Sequence, residues 1–319
     1  MPELRVSVVL PYYLRLAPGD YQTAREGEVV HVAAPLLDET TPPRTPVSAQ
    51  SDLEDTANPN EVAHRRTRCA GQLLNRINRL LRWYRAVTRR VEITELTRAH
   101  VSPFRFEAIS RGVAQAWTQP LEYVLPTPEP LVLTMEQLTS AVRDGLMGGE
   151  EPDVDVLFLL DAERALSQGR FREAVLLSWG TIDSVFNRRY DRLVDAAMAS
   201  EWSEARNFFK GPDFGLRHKM TAGMRFMANR SLFHEPDGFW ARLSESYSRR
   251  NAIIHRGENA SEDEARQAIE VARRMIEIMN AIPVPGTTPP QTAGPTPEPG
   301  RPSTRKKKPA RRKKPPRER

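Results

Sequence analysis

Apolar positions recur along this chain at two different periods, and the period changes partway. In the first half the short runs look like strands. RVSVVLPYYLRL (5–16) is rich in β-branched and aromatic residues and predicts a strand pair or one bent strand. GEVVHVAA (27–34) predicts another strand, and VEITEL (91–96) and FRFEAIS (104–110) predict two more. Between them lies a strong helical signal over roughly 61–89. Its seam is Cys69, Leu73, Ile77, Leu80, Tyr84 and Val87, advancing by three or four residues at a time. A short helix over 135–146 closes this half and ends at Gly148 and Gly149.

From 152 onward the period is helical throughout. The segment 153–169 carries Val156, Leu159, Leu160, Glu163 and Leu166, with Gly169 as a stop. The segment 171–190 carries Ala174, Leu177, Ser178, Ile182 and Phe186, and a third helix is expected near 192–209. Leu216, Met220, Met224 and Met227 mark a helix over 215–228, and this Met run reads as core packing. Trp240, Leu243, Tyr247 and Ile254 mark one over 238–255. The last helix opens with a capping box, Ser261 with Glu264. Its seam is Ala265, Ile269, Ala272, Ile276 and Met279, and Pro283 stops it. Five or six helices with short loops predict an antiparallel bundle.

Three stretches lack either period. Residues 36–60 are Pro, Ser, Thr, Asp and Asn in irregular order, which predicts a long loop or insert. Residues 120–130 carry several Pro and close the first region. The last 37 residues, 283–319, hold eleven Pro and almost no large apolar side chain, so they are predicted to stay disordered. The expected fold class is α+β, mainly α. A mixed α/β module over 1–150 precedes a helical bundle over 152–282 and a Pro-rich basic tail over 283–319. No internal repeat is evident.

Charge sharpens that division. The 319 residues carry a net +6, yet residues 301–319 alone hold eleven Lys or Arg against one Glu, so the remaining 300 are net negative. The block RKKKPARRKKPPRER attracts polyanions whatever their sequence. Its nucleic-acid contacts are predicted at Arg305, Lys306, Lys307, Lys308, Arg311, Arg312, Lys313 and Lys314. One Cys, Cys69, excludes an internal disulfide and a Cys-rich zinc site. No apolar run approaches the roughly 18–20 residues of a membrane span, and the N-terminus lacks the features of a secretory signal. A cytoplasmic protein with no membrane partner is the expectation.

The usual catalytic signatures are absent. There is no GxxxxGK[ST], no GxGxxG after a strand and no GxSxG. The six His show no HxH or HExxH spacing, so neither a His-based metal site nor a cofactor is expected. One constellation carries chemistry: SRRNAIIHRGE (248–258). Asn251 and His255 are four apart and share a helix face. Arg250 is turned about 100° from Asn251 and about 140° from His255, so Arg250 and His255 flank a groove. Gly257 is placed to end the helix in the left-handed conformation, which puts His255 in the last turn, where the helix dipole favours its protonated form. Arg249 and Arg256 add positive charge. Such a patch suits RNA cleavage without a metal. His255 acts as general acid or base, Arg250 holds the phosphate and stabilises the transition state, and Asn251 orients His255 or contacts the nucleotide.

Arg-Asn-x-x-x-His at a helix end, followed by an acidic loop and an amphipathic closing helix, resembles the HEPN superfamily. The resemblance covers about 152–282, and LSQGRFREAVLLSWGTIDSVF (166–186) is similar to the family's early helices. It implies a helical bundle that pairs as a homodimer, with two motifs in one cleft. It also implies a metal-independent endoribonuclease acting as a toxin or phage-defence effector, with a possible protein partner from a defence system. Asp183 would take the place of the family's acidic residue and orient Arg250. Other family members bind nucleotides or are inactive, which implies the alternative of a non-catalytic binding or dimerisation adaptor tethered to nucleic acid by the tail.

Plainer readings compete for the same residues. Arg250 and His255 also fit a helix C-terminus that simply complements its dipole, and Asp183 fits a structural salt bridge better than a catalytic role. Arg25 and His31 repeat the Arg–His spacing, but in a strand-like segment. The helix over 61–89 is lined with Arg, including Arg76, Arg79, Arg82 and Arg85, beside Trp83 and Tyr84. A nucleic-acid face is one reading there, and ion pairs with acidic loops are the favoured one.

Overall fold

The computed structural model describes residues 3–10, 12–25, 27–38, 41–52, 59–96, 104–110, 113–119, 133–198 and 202–284. The chain is mixed α and β and mostly helical. Its first part is one antiparallel sheet of β1 (Glu3–Leu10), β2 (Gly19–Gln22), β3 (Val29–Val32), β4 (Leu36–Asp38), β5 (Thr41–Asp52), β6 (Phe104–Ser110) and β7 (Val113–Gln119). The strand order is β2-β3-β5-β1-β6-β7, with β4 pairing β5 as well. Leu4, Val6, Val8 and Leu10 of β1 point inward and alternate with Arg5, Ser7 and Val9. The inward face packs on two helices, α1 (Pro59–Thr88) and α2 (Met135–Met147), with Leu73, Ile77, Leu80, Tyr84, Leu138 and Val142 in the shared core.

The largest departure from the sequence reading is 36–60. Most of it is the β4–β5 hairpin, and β5 is a central strand pairing both β1 and β3. The inward residues Thr45, Val47 and Ala49 are small or polar, so the alternation of period two is present but weak. Pro46 is tolerated because its carbonyl accepts from the Ala33 N–H (2.9 Å), just past the last β3 pair, Val32 with Val47. Its missing N–H faces that same strand end, so the ladder to β1 is intact. The strand pair or bent strand expected over 5–16 is β1 alone; residues 12–16 are irregular and hang on side chains, with the Leu14 N–H donating to Thr45 Oγ1 (2.8 Å) and the Arg15 N–H to the Tyr84 hydroxyl. VEITEL is not a strand either. Ile93 and Leu96 are buried as predicted for one, but the Asn78 side chain takes the place of a neighbouring strand, donating to the Leu96 carbonyl (2.9 Å) and accepting from its N–H (2.7 Å).

The second part is helical: α3 (Val154–Ser167), α4 (Phe171–Ala197), α5 (Ser203–Lys210), α6 (Leu216–His218), α7 (Met224–Ala228), α8 (Phe239–Arg256) and α9 (Glu262–Ala281). The centre is α4, which packs against α3, α8 and α9. It does not break near 190 as expected, because Phe186, Tyr190, Leu193 and Val194 keep the helical stripe buried through the charged residues between them. The buried stripe of α8 also differs from the expected one. It is Phe239, Leu243, Ser246, Ala252 and Ile253, and Tyr247 and Ile254 lie beside it, 41% and 48% exposed. The Ser261–Glu264 capping box of α9 is formed in both directions. Val284, just past Pro283, still belongs to the bundle core. The rest of the predicted tail, with the basic residues Arg305 to Lys314, lies outside the described residues, as do 120–130.

The Arg-rich face of α1 is held by carboxylates. Arg76 pairs with Glu28, Arg82 with Glu95 and Glu151, and Arg85 with Asp161 of α3. The last pair, at 2.7 Å with Arg85 nearly buried, fastens α1 to the helical part. No helix among the described residues is long and apolar enough to cross a membrane.

Between α6 and α7 the chain makes a π-helical turn, Lys219–Gly223. A Cβ on Gly223 would lie 2.5 Å from the Tyr190 hydroxyl and 3.0 Å from the Phe214 ring. Both neighbours are packed, so Gly223→Ala is expected to destabilise the protein by about 1–3 kcal/mol. Chemical denaturation would show this as a lower midpoint, and an unchanged midpoint would mean that the turn shifts freely.

Candidate active site at the end of α8

The final turn of α8 gathers the residues predicted from the sequence. Gly257 ends the helix in the left-handed conformation (φ +68°), and its N–H and that of Glu258 reach back to the Ile253 and Ala252 carbonyls. This fixes His255 and Arg256 in the last turn, where the carbonyl ends favour positive charge.

The cationic side chains there are not equivalent. Arg249 donates to Glu258 (3.1 Å) and also pairs with Glu264 of α9. Arg256 pairs with Glu258 at 2.6 Å. That contact, with Arg249 beside it, holds the Glu258 carboxyl below its usual range. Arg249 and Arg256 are therefore neutralised locally, and Arg249 ties the loop after α8 onto α9. They serve as scaffolding.

Arg250 is different. It is half-buried, and its guanidinium donates to the Asn251 amide oxygen at 3.1 Å. The expected bond from Asn251 to His255 is not formed among the described residues; the amide oxygen accepts from Arg250 instead, and the amide N–H groups are left for other partners. His255 is exposed, with no hydrogen bond among the described residues. A polar hollow beside α8 is lined by Ser246, Arg249, Arg256, Glu258 and Glu264, and a second, larger one runs along Trp240 and Tyr247. Neither hollow is lined by Arg250, Asn251 or His255.

Asp183 faces this end of the bundle from the middle of α4. Burial pushes its carboxyl pKa up, and the Arg250 charge pulls it partly back. Burial prevails in that shift, and Asp183 makes no ion pair within 4 Å and no hydrogen bond to Arg250 among the described residues, so neither the salt bridge nor the orienting contact expected of it is formed. Its folded pKa lies above the unfolded value. The favourable contribution of its protonated form is therefore complete below the unfolded pKa, about 4, and is lost as pH rises through the folded value. Asp183→Asn, which keeps the shape and removes the charge, is expected to leave neutral-pH stability unchanged or raised, with the difference from the native chain fading in acid. Thermal melts from pH 4 to 7 would show it; a marked loss at pH 7 would mean that the Asp183–Arg250 attraction dominates.

The second Arg–His pair is accounted for elsewhere. His31 lies on β3 and hydrogen-bonds Asp20 of β2 at 2.8 Å on the exposed sheet face, while Arg25 is beside Glu28. Met220, Met224 and Met227 are buried in the helical core. Among the described residues no three His, Cys, Asp or Glu side chains are grouped as metal ligands would be. No known family model matches the chain, and no curated protein or solved structure matches it.

Proposed function

We propose that this protein is a metal-independent endoribonuclease of HEPN type, with Arg250 and His255 as its catalytic pair. The observation that carries the reading is the contrast at the end of α8: Arg249 and Arg256 are bound by carboxylates, whereas Arg250 is held by a neutral amide and His255 is exposed. A guanidinium kept in place with no carboxylate bonded to it retains its capacity for a phosphate.

In this reaction the 2′-hydroxyl of the substrate gives its proton to a base and attacks the adjacent phosphorus. The 5′-oxygen leaves and takes a proton from an acid. The products are a 2′,3′-cyclic phosphate and a 5′-hydroxyl. His255 supplies one of the two proton transfers. Arg250 donates to the phosphoryl oxygens as charge develops. Asn251 is a positioning residue that fixes the guanidinium. The open setting of Arg250 and His255 suits a site completed across a homodimer, in which a second copy supplies the other His255. A toxin or phage-defence effector is the biological role this chemistry serves best, with the basic tail raising the local concentration of RNA.

A second reading draws on the hollows: neither is lined by Arg250 or His255. It is a non-catalytic nucleotide- or RNA-binding and dimerisation module. Incubation with single-stranded RNA in excess EDTA separates the two. The first predicts cleavage that persists in EDTA. A folded chain that binds RNA and never cuts it supports the second.

A further inference from the structure

We infer that the cleft between α8 and the α6–π turn binds a phosphate-bearing nucleobase. The cleft is about 460 Å³, within the range of small-molecule sites. Its floor is apolar, formed by Trp179, Leu216, Met220 and Leu243. Two aromatic rings of α8, Trp240 and Tyr247, mark its ends. They are seven residues apart, so about 10 Å along the helix axis.

Both rings are held. Tyr247 packs on Trp179 (centroids 5.2 Å, tilted 59°), and Trp179 is locked by its indole N–H donating to Ser246 Oγ at 2.9 Å. Trp240 meets Phe233 edge-on at 5.9 Å. Tyr247 is 41% exposed, so it offers a supported, accessible ring face. Stacking on such a face suits any base. The rim is polar and cationic: Ser244 and Ser248 on one side, Arg217 and His218 on the other. Arg217 is exposed and makes no ion pair among the described residues. An apolar floor alone would suit many ligands. Aromatic ends with an unpaired guanidinium at the rim suit an aromatic heterocycle that carries a phosphate.

The cleft is also aligned with the candidate active site. Ser244, Ser248, Asn251 and His255 follow one another by four, three and four residues, which is one face of α8. His255 lies seven residues beyond Ser248, about 10 Å along the axis. A strand with one base in the cleft would continue toward His255. This role in cleavage rests on the nuclease reading; binding of the base does not.

The test is calorimetric titration of the full chain with AMP, UMP and adenosine, for the native protein and for Tyr247→Ala, Tyr247→Phe and Arg217→Ala. Both positions are exposed, and circular dichroism checks the fold. AMP is expected to bind more tightly than adenosine. Tyr247→Ala is expected to weaken AMP about tenfold or more, as loss of one stacking ring does, and Tyr247→Phe to restore it. Arg217→Ala is expected to weaken AMP and leave adenosine unchanged. RNA cleavage then separates the two sources of the ligand. If the cleft serves the RNA strand, Tyr247→Ala raises KM and leaves kcat nearly unchanged. If it serves a free nucleotide, KM for RNA is unchanged while AMP binding is still lost. A chain that binds AMP through Tyr247 and Arg217 but cuts no RNA keeps this site and rejects the nuclease. No nucleotide binding, or binding that both Tyr247→Ala and Arg217→Ala leave intact, overturns the inference, whether or not RNA is cut or an apolar peptide binds instead.

Discussion

His255→Ala is expected to lower the rate of RNA cleavage by roughly 10²–10⁴-fold, the usual contribution of one positioned proton-transfer group. The His255 side chain is exposed at a helix end, so its loss leaves the core untouched. Arg250→Ala is expected to cost about 10²–10³-fold, comparable to removing one donor to a developing oxyanion. Arg250→Lys should fail as well, because an ammonium cannot keep the planar fork that donates to Asn251 on one side and to a phosphate on the other. Asn251→Ala should cost less than either, since Asn251 acts through Arg250. Single-turnover cleavage beside thermal melts would read these effects free of folding. Native rates in a folded His255→Ala variant would remove His255 from the mechanism.

The second large effect concerns affinity. The eight basic residues from Arg305 to Lys314 lie in a block with no acidic residue among them. Each cation that neutralises a phosphate releases a counterion, so binding weakens steeply with salt, with a logarithmic slope of about −0.7 per contact on a single strand. Replacing all eight with Gln is expected to flatten the slope for RNA by about 5–6 if every one contacts a phosphate. At low salt the variant should bind far more weakly, yet cut bound RNA at the native rate, because Arg250 and His255 are unchanged. Fluorescence anisotropy across a salt series measures the slope. An unchanged slope would mean that the folded body, not the tail, holds the RNA.

These two predictions draw on parts of the chain that the sequence exposed to different degrees. Long helices were readable because their buried stripes are strongly apolar: the α1 seam from Cys69 to Tyr84 is buried as predicted. The end of α8 was readable because Gly257 and the Ser261–Glu264 box are local devices. What escaped were elements whose pattern is set by distant partners. In β5 the inward residues are Thr45, Val47 and Ala49, which look like loop residues until β1 and β3 flank them. VEITEL carries the composition of a strand, but Asn78 had already taken its backbone partners. On α8 the buried stripe lay about 100° from the expected one, because Ser246 is buried by its bond to Trp179 while Tyr247 faces outward. The aromatic cleft is therefore not legible in the sequence, because the helical period places Trp240 and Tyr247 on the core face. The chemistry of single residues was readable; which carboxylate met which arginine was not. Arg249 and Arg256 looked like part of the cationic patch, and only the fold pairs them with Glu258 and Glu264.

The most direct test of the central claim is the chemistry of the cut ends. Labelled single-stranded RNA is incubated with the purified chain in excess EDTA, and the termini of the products are identified. Attack by the 2′-hydroxyl, with His255 moving a proton and no metal required, predicts a 2′,3′-cyclic phosphate on one fragment and a 5′-hydroxyl on the other, both absent with His255→Ala. Fragments bearing a 3′-hydroxyl and a 5′-phosphate, or cleavage that EDTA abolishes, would contradict it.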